Sequence, residues 1–140
     1  KRLSNEVISL YKCKKVFKFH PPPVRTDFDI PIFQKTYDFV KELYLVLPKL
    51  PKRQRYTLGQ RLDNLSIEFL ESIILAGRAE AEKLSLLKKA DSKLETLKIL
   101  LRLAKDTQTL DNGKYANLEK HLQEIGKMLG GWLKHAKQAA

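Results

Sequence analysis

The sequence SLLKKADSKLETLKILLRLAKD, at residues 85–106, has the most regular hydrophobic repeat of the chain. Its apolar residues recur three and four positions apart, as Leu87, Ala90, Leu94, Leu97, Leu101 and Ala104. On an α-helix this spacing produces one continuous apolar seam, because two turns take about seven residues. The repeat therefore predicts a helix that begins near Ser85 and packs against a nearly parallel or antiparallel neighbour.

The same repeat returns on the C-terminal side of a turn. The run Thr109-Leu110-Asp111-Asn112-Gly113 is typical of a turn, and either Asp111 or Asn112 can cap the helix that follows it. The apolar positions of that fourth helix are Tyr115, Leu118, Leu122, Ile125, Leu129 and Leu133. We expect these two seams to face each other.

Two more helices are predicted before residue 85. The first begins near Pro31, a residue tolerated in the first turn, and ends at Pro48 and Pro51. Its spacing by four and three marks a buried face, which other apolar residues widen. The face comprises Phe33, Tyr37, Val40, Tyr44 and Leu47, widened by Ile32, Phe39, Leu43 and Val46.

The second helix is predicted from Thr57, as N-cap, to about Glu82. Its buried positions are Leu58, Leu62, Leu65, Phe69 and Ile73. Four amphipathic helices with short connections predict an all-α protein, an up-down-up-down four-helix bundle over residues 31–140.

Residues 1–30 read differently from the bundle. They are basic and mixed in pattern, and Pro21-Pro22-Pro23 forces an extended polyproline segment. We interpret them as a basic arm and a stiff linker. Two interpretations of the arm remain open: it adds a strand or helix to a neighbouring subunit, or it is disordered.

Composition limits the class of protein. The 140 residues contain 27 Lys and Arg against 16 Asp and Glu, a net charge of +11. This length suits one domain, the single Cys13 cannot form an intramolecular disulfide, and no apolar run is long enough to span a membrane. We expect a soluble cytoplasmic protein with a polyanionic partner, nucleic acid first and an anionic membrane surface second. A charge that serves only solubility remains the alternative.

Two sets of basic residues are candidates for that partner. The first, which we call the loop cluster, comprises Lys49, Lys52, Arg53, Arg55 and Arg61. The second, the helical stripe, comprises Lys98, Arg102 and Lys105 at i, i+4 and i+7, on one face away from the seam. The alternative for the stripe is ordinary pairing with Glu95 and Asp106. Because only Tyr56 clearly interleaves with the charges, we predict contact with phosphates rather than base stacking.

Glycines interrupt the fourth helix at a cost of about 1 kcal/mol each. Gly126 and Gly130 are four positions apart and would let another helix approach closely, and Trp132 would anchor an interface. We therefore predict a contact between subunits at Gly126, Gly130 and Trp132. The alternative is a helix that stops at Gly130 with Gly131 as a left-handed cap.

Catalytic chemistry has little support in the sequence. His20, His121 and His135 are far apart, and we predict that each is a surface histidine. There is no metal-ligand spacing, phosphate-binding loop or nucleophile motif. We predict a protein that is not an enzyme and needs no cofactor or metal.

Three motifs carry a family resemblance. They are Pro51-Lys52-Arg53-Gln54-Arg55-Tyr56-Thr57-Leu58-Gly59-Gln60-Arg61, then Leu97-Lys98-Ile99-Leu100-Leu101-Arg102-Leu103-Ala104, then Tyr115 with Glu124-Ile125-Gly126-Lys127-Met128-Leu129-Gly130-Gly131-Trp132. In this order they resemble the accessory variability determinants of diversity-generating retroelements. The resemblance covers about residues 32–136 and leaves the arm unexplained.

The resemblance implies a homopentameric ring of four-helix bundles that is not an enzyme. It implies binding of the element's reverse transcriptase and its template RNA, and possibly DNA, without a membrane. The family's basic positions would fall on Lys52, Arg53, Arg55, Arg61, Lys98 and Arg102, and its glycine-tryptophan ending on Gly130, Gly131 and Trp132. Related four-helix proteins, encoded in intervening sequences of ribosomal RNA genes, are the alternative: an oligomeric scaffold with protein partners and incidental nucleic-acid binding.

Overall fold

The computed structural model describes residues 31–139, and all their regular structure is helical. Three helices are α1 (Pro31–Val46), α3 (Lys83–Asp106) and α4 (Asn112–Ala139). The remaining helix, α2, joins three consecutive pieces: α-helical Lys52–Gln54, π-helical Arg55–Gly59 and α-helical Gln60–Arg78. A 3₁₀ turn, Leu47–Lys49, links α1 to α2. The predicted arm and linker, residues 1–30, lie outside the described residues.

The four helices form an up-down-up-down bundle. Each helix packs on its neighbour in the sequence, and α1 packs on α4 to close the arrangement. Because the connections are short, neighbouring helices are antiparallel. One end of the bundle, which we call the loop end, gathers the α1–α2 and α3–α4 connections; the opposite end holds the start of α1, the α2–α3 connection and the end of α4.

The seams predicted for α3 and α4 form the core. Leu87, Leu97 and Leu101 on α3 are fully buried, and so are Leu118, Leu122 and Ile125 on α4. Tyr115 and Leu133, at the two ends of the α4 repeat, are only partly buried against this core. The heptad pattern therefore identified the contact between these helices correctly.

The central seam predicted for α1 is wrong, and the residues predicted only to widen it form the buried face. Tyr37 and Tyr44 are exposed, Tyr44 at 67%, whereas Phe39 is completely buried. The buried residues are Ile32, Thr36, Phe39, Leu43 and Val46. The hydropathy pattern missed this face because the face includes the polar Thr36. The Thr36 hydroxyl can be buried because it donates to the Ile32 carbonyl at 2.7 Å.

The predicted bounds of α2 are also wrong. The helix begins at Lys52 rather than at an N-cap at Thr57, and its regular part ends at Arg78 rather than near Glu82. Thr57 lies inside the helical segment, where its hydroxyl donates to the Arg53 carbonyl at 3.2 Å. Four of the five loop-cluster residues, Lys52, Arg53, Arg55 and Arg61, therefore lie in α2.

Polar contacts close the bundle between α1 and α4. The Lys35 ammonium lies 2.8 Å from the Glu124 carboxylate, and His121 pairs with Glu42. The contact with Glu124 raises the pKa of Lys35, and the contact with Lys35 lowers the pKa of Glu124. His121 was predicted to be a surface histidine; it is instead partly buried between two helices, because its position on α4 faces α1.

A tight turn connects α3 to α4. Gln108 has a φ of 58°, the left-handed conformation that commonly ends a helix. The amides of Thr109 and Leu110 then donate to the Ala104 carbonyl at 2.9 and 3.1 Å. Asp111 accepts from the Lys114 amide at 2.8 Å, which confirms it as the cap of α4.

Candidate nucleic-acid interface

The loop cluster occupies the loop end of the bundle. Lys49 ends the 3₁₀ turn, Lys52 and Arg53 form the first turn of α2, and Arg55 starts its π-helical piece. Arg61 follows in the regular part of α2. The local fold thus concentrates these cations where α1 ends and α2 begins.

Most of the loop cluster carries uncompensated charge. Lys49, Lys52, Arg53 and Arg61 are exposed, and none of them forms an ion pair within residues 31–139. Arg55 has a different role, since its guanidinium donates to the Leu50 carbonyl at 3.2 Å. We conclude that four of the five cations are free to meet an anion and that Arg55 also stabilises the loop.

Gly59 explains how the π-helical piece fits against the loop. A Cβ at this position would lie 3.1 Å from Leu50 Cδ1 and 3.3 Å from the Gln54 carbonyl oxygen. Both distances are tighter than ordinary contacts, so the neighbouring atoms would have to shift by a few tenths of an ångström to admit a side chain. Gly59 therefore allows α2 to approach Leu50 closely, a role that its place within the first motif did not reveal.

The charges of the helical stripe are more fully paired with carboxylates than those of the loop cluster. Lys98 lies 3.0 Å from Glu95, and Arg102 Nε lies 3.6 Å from Asp106, which are the pairs of the alternative interpretation. The Lys98 side chain is only 25% exposed, because it leans over α4. Pairs of this kind at a surface contribute about 0–1 kcal/mol, so an anionic partner can replace them.

Lys105 extends the stripe to the loop end. Its ammonium lies 4.9 Å from the centre of the Tyr115 ring, an arrangement that holds it between α3 and α4. Burial raises the pKa of Tyr115, and the neighbouring Glu119 carboxylate raises it further. Tyr115 therefore remains a neutral ring beneath the lysine.

A cleft of about 530 Å³ joins the two basic sets. It lies between the α1–α2 and α3–α4 connections and is lined by Lys49 from the loop cluster and Lys105 from the stripe. Lys114, which sequence reasoning missed, lies in the same cleft. Its position directly after the predicted turn was a usable signal, since an antiparallel hairpin returns that residue to the end of α3.

The glycines of α4 have separate environments. A Cβ on Gly126 would lie 3.4 Å from Lys98 Nζ and 3.7 Å from Leu94 Cδ2, so Gly126 lies in the contact between α3 and α4 of one subunit. Gly130 and Gly131 face open space. Trp132 is partly buried against the core. Of the residues predicted to contact a second subunit, Gly126 therefore lies against α3 of its own subunit, whereas Gly130 is open.

The alternative end of α4 is wrong. The helix continues through Gly130 and Gly131 to Ala139, and no glycine between residues 31 and 139 has a positive φ. Because Gly131 does not adopt a left-handed conformation, it does not cap the helix.

Neither a membrane-spanning helix nor a metal-binding group of side chains is found among residues 31–139. None of the helices within residues 31–139 is long and apolar enough to cross a membrane. Over the same residues, no group of three or more His, Cys, Asp or Glu side chains could hold a metal ion.

Comparison with known families decides the relationship. The bAvd-like family matches residues 31–136, from the first residue of α1 almost to the end of α4. The chain belongs to the bAvd-like family. This match supports the accessory variability determinant family that the three sequence motifs indicated. Among curated proteins, none matches this bAvd-like chain significantly.

Proposed function

We propose that this bAvd-like protein is a non-catalytic accessory subunit of a diversity-generating retroelement, which binds the element's reverse transcriptase and its template RNA. Membership of the family supports the accessory role. The observation that supports nucleic-acid binding is the concentration of unpaired cations at the loop end: Lys49, Lys52 and Arg53 are exposed and have no acidic partner within residues 31–139.

The chemistry of these cations favours phosphate contacts. Exposed lysine and arginine side chains on a helical turn can neutralise a strand without reading its bases. Tyr56 is the one large aromatic residue of the motif and is 66% exposed. One ring is too few for a stacking platform, so we propose affinity with little sequence preference.

Apolar exposure supports association of subunits. Tyr37, Tyr44 and Leu45 are exposed on α1, although the bundle core is complete without them. Large apolar side chains that one subunit leaves in water are typical of surfaces between copies. We propose a closed homo-oligomer, and the family resemblance favours a pentamer.

The test of RNA binding removes two charges that have no structural task. Lys52→Ala with Arg53→Ala should weaken binding of a structured RNA equally across sequences and reduce the slope of log affinity against log salt by about 1 per removed contact. Arg55 is left in place because it stabilises the loop. The matched control is Lys88→Ala with Lys89→Ala, two adjacent exposed cations on α3. An unchanged salt slope in the first variant would exclude the loop cluster as the site.

The contact with the transcriptase is tested at Arg102. We propose that the stripe meets an acidic surface of the transcriptase, so Arg102→Glu should abolish co-purification, because a like charge at an interface costs several kcal/mol. RNA affinity should remain, since Arg102 lies outside the cleft. Loss of both activities from an intact oligomer would show that one surface serves both partners.

A further inference from the structure

The cleft at the loop end is an open concavity between two chain connections. Two connections form its opposite walls: residues 49–51 on one side and residues 108–112 on the other. Both walls are fixed by backbone hydrogen bonds, from Leu50 to Leu47 at 3.2 Å and from Gln108 to Lys105 at 3.0 Å. The cleft therefore exists before any ligand arrives.

The charge of the cleft is positive. Three ammonium groups line it, from Lys49, Lys105 and Lys114, against the single carboxylate of Asp111. That carboxylate is already engaged, because it accepts from the Lys114 amide at 2.8 Å and pairs with the Lys114 ammonium at 3.4 Å. Lys49 and Lys105 have no acidic partner within residues 31–139 and remain available to an anion.

The remaining lining sets the class of anion. Leu50, Pro51 and Leu110 add apolar surface, and the amides of Gln108 and Asn112 add neutral hydrogen-bonding groups. A volume of about 530 Å³ lies within the usual range of about 300–1,000 Å³ for small-molecule sites. It is large enough for a phosphate together with a sugar and a base.

We infer that this cleft binds one nucleotide unit of a single-stranded nucleic acid, with its phosphate between Lys49 and Lys105 and its base against Pro51. Lys105 then contacts the nucleic acid, and Lys98 and Arg102 are the part of the stripe left for the transcriptase. The inference deepens the proposed function, on which it rests, by naming a single-stranded segment as the species held at the loop end. A base-paired duplex cannot place a whole nucleotide in a cleft of this size without unpairing it. The strand continues from the cleft onto Lys52 and Arg53, which directly follow Pro51 in the chain.

The test uses a ligand that fits the cleft alone. The 5′-phosphorylated uridine dinucleotide is titrated into the full isotope-labelled protein and followed by amide chemical shifts. We expect the largest shifts at residues 108–114 and at Lys49 and Leu50, and a loss of affinity of at least about fivefold in Lys49→Gln with Lys105→Gln, which removes both phosphate contacts. The matched control is Lys83→Gln with Lys137→Gln, two lysines at the opposite end of the bundle.

The outcomes separate this inference from the proposed function. Shifts confined to other surfaces, or equal affinities of the two double variants, would overturn the cleft as a nucleotide site. An octaglutamate peptide that shifted the same amides at the same concentration would also overturn it, in favour of an acidic protein segment. A structured RNA is titrated in parallel: if it binds through Lys52 and Arg53 while the dinucleotide does not enter the cleft, only the inference fails. If the dinucleotide binds and the structured RNA does not, only the proposed RNA binding fails.

Discussion

Asp111 connects sequence, fold and site within a single side chain. It caps α4, pairs with Lys114, and lies in the wall of the cleft. The hydrogen bond from the Lys114 amide is the main reason why the pKa of this carboxyl lies below its ordinary value. The turn signal left Asp111 and Asn112 as candidates for the cap, and the structure decides for Asp111. Its place in the same cleft as Lys49 required the packed bundle.

Removal of this cap should destabilise the protein. Asp111→Ala leaves the first amides of α4 without their acceptor, and we expect the Tm to fall by about 5 °C, measured by circular dichroism. Asp111→Asn is the control, because an asparagine oxygen accepts the same hydrogen bond. An equal loss in both variants would mean that the charge, rather than the cap, stabilises the helix.

The pH dependence of that loss has a fixed sign. Because the folded pKa of Asp111 lies below the ordinary unfolded value of about 3.9, its stabilisation is complete above that pH and disappears as the pH falls through the lowered pKa. The Tm difference between the wild type and Asp111→Ala should therefore stay constant from pH 7 to about 5 and shrink below about 4. A difference that grew in acid would contradict this assignment.

At the scale of elements, α3 and α4 were predictable and α1 was not. In α3 the regular three-and-four spacing from Leu87 to Ala104 identified the buried face, although Ile99 and Leu103 are exposed outside it. In α1 the apolar residues cover more than half the circumference, and periodicity could not choose between the face of Phe39 and that of Tyr44. The choice depends on packing, since the α4 residues Glu124 and His121 fix Lys35 and Glu42 on one flank.

The two faces of α1 should respond differently to truncation. Phe39→Ala removes a completely buried ring and should cost about 3–5 kcal/mol of unfolding free energy in urea. Tyr44→Ala, at a position exposed on the single subunit, should change the unfolding free energy of that subunit by no more than about 0.5 kcal/mol. If Tyr44 proved the more costly, the face first predicted from the sequence would be the buried one.

The start of α2 could not be predicted for a local reason. Two prolines and a run of basic residues resemble a loop, yet Lys52–Gln54 and Arg55–Gly59 are helical. A π-helical piece has no sequence signature of its own and depends on tertiary contacts, here the close approach of Gly59 to Leu50. The sequence could thus identify the cations but not the helical turn that carries them.

At the scale of the whole molecule, the arrangement of the two basic sets was the main feature hidden from the sequence. The loop cluster and the stripe were predicted as separate surfaces, and they meet at the cleft because α1–α2 and α3–α4 connect at the same end. The missing information was three-dimensional: Lys49 and Lys105 are far apart in the chain and line the same cleft only in the packed bundle.

The assembly of subunits is the prediction at this scale. We expect light scattering at micromolar concentration to give a mass of several subunits, since one helix, α1, already exposes the three large apolar residues Tyr37, Tyr44 and Leu45. Tyr37→Lys with Tyr44→Lys should lower that mass while the helix content remains. A monomeric wild type would contradict the proposed ring.

The closing contact between α1 and α4 has a consequence for how the chain folds. The other main helix contacts join neighbours in the sequence, so the hairpins α2–α3 and α3–α4 can form at the small entropic cost of closing a short loop. Docking of α1 onto α4 must bring together the two most distant helices, and we expect it to be the last step of folding. The reverse step is then the first to occur, and amide hydrogens of α1 should exchange with solvent faster than those of α3 in the folded protein.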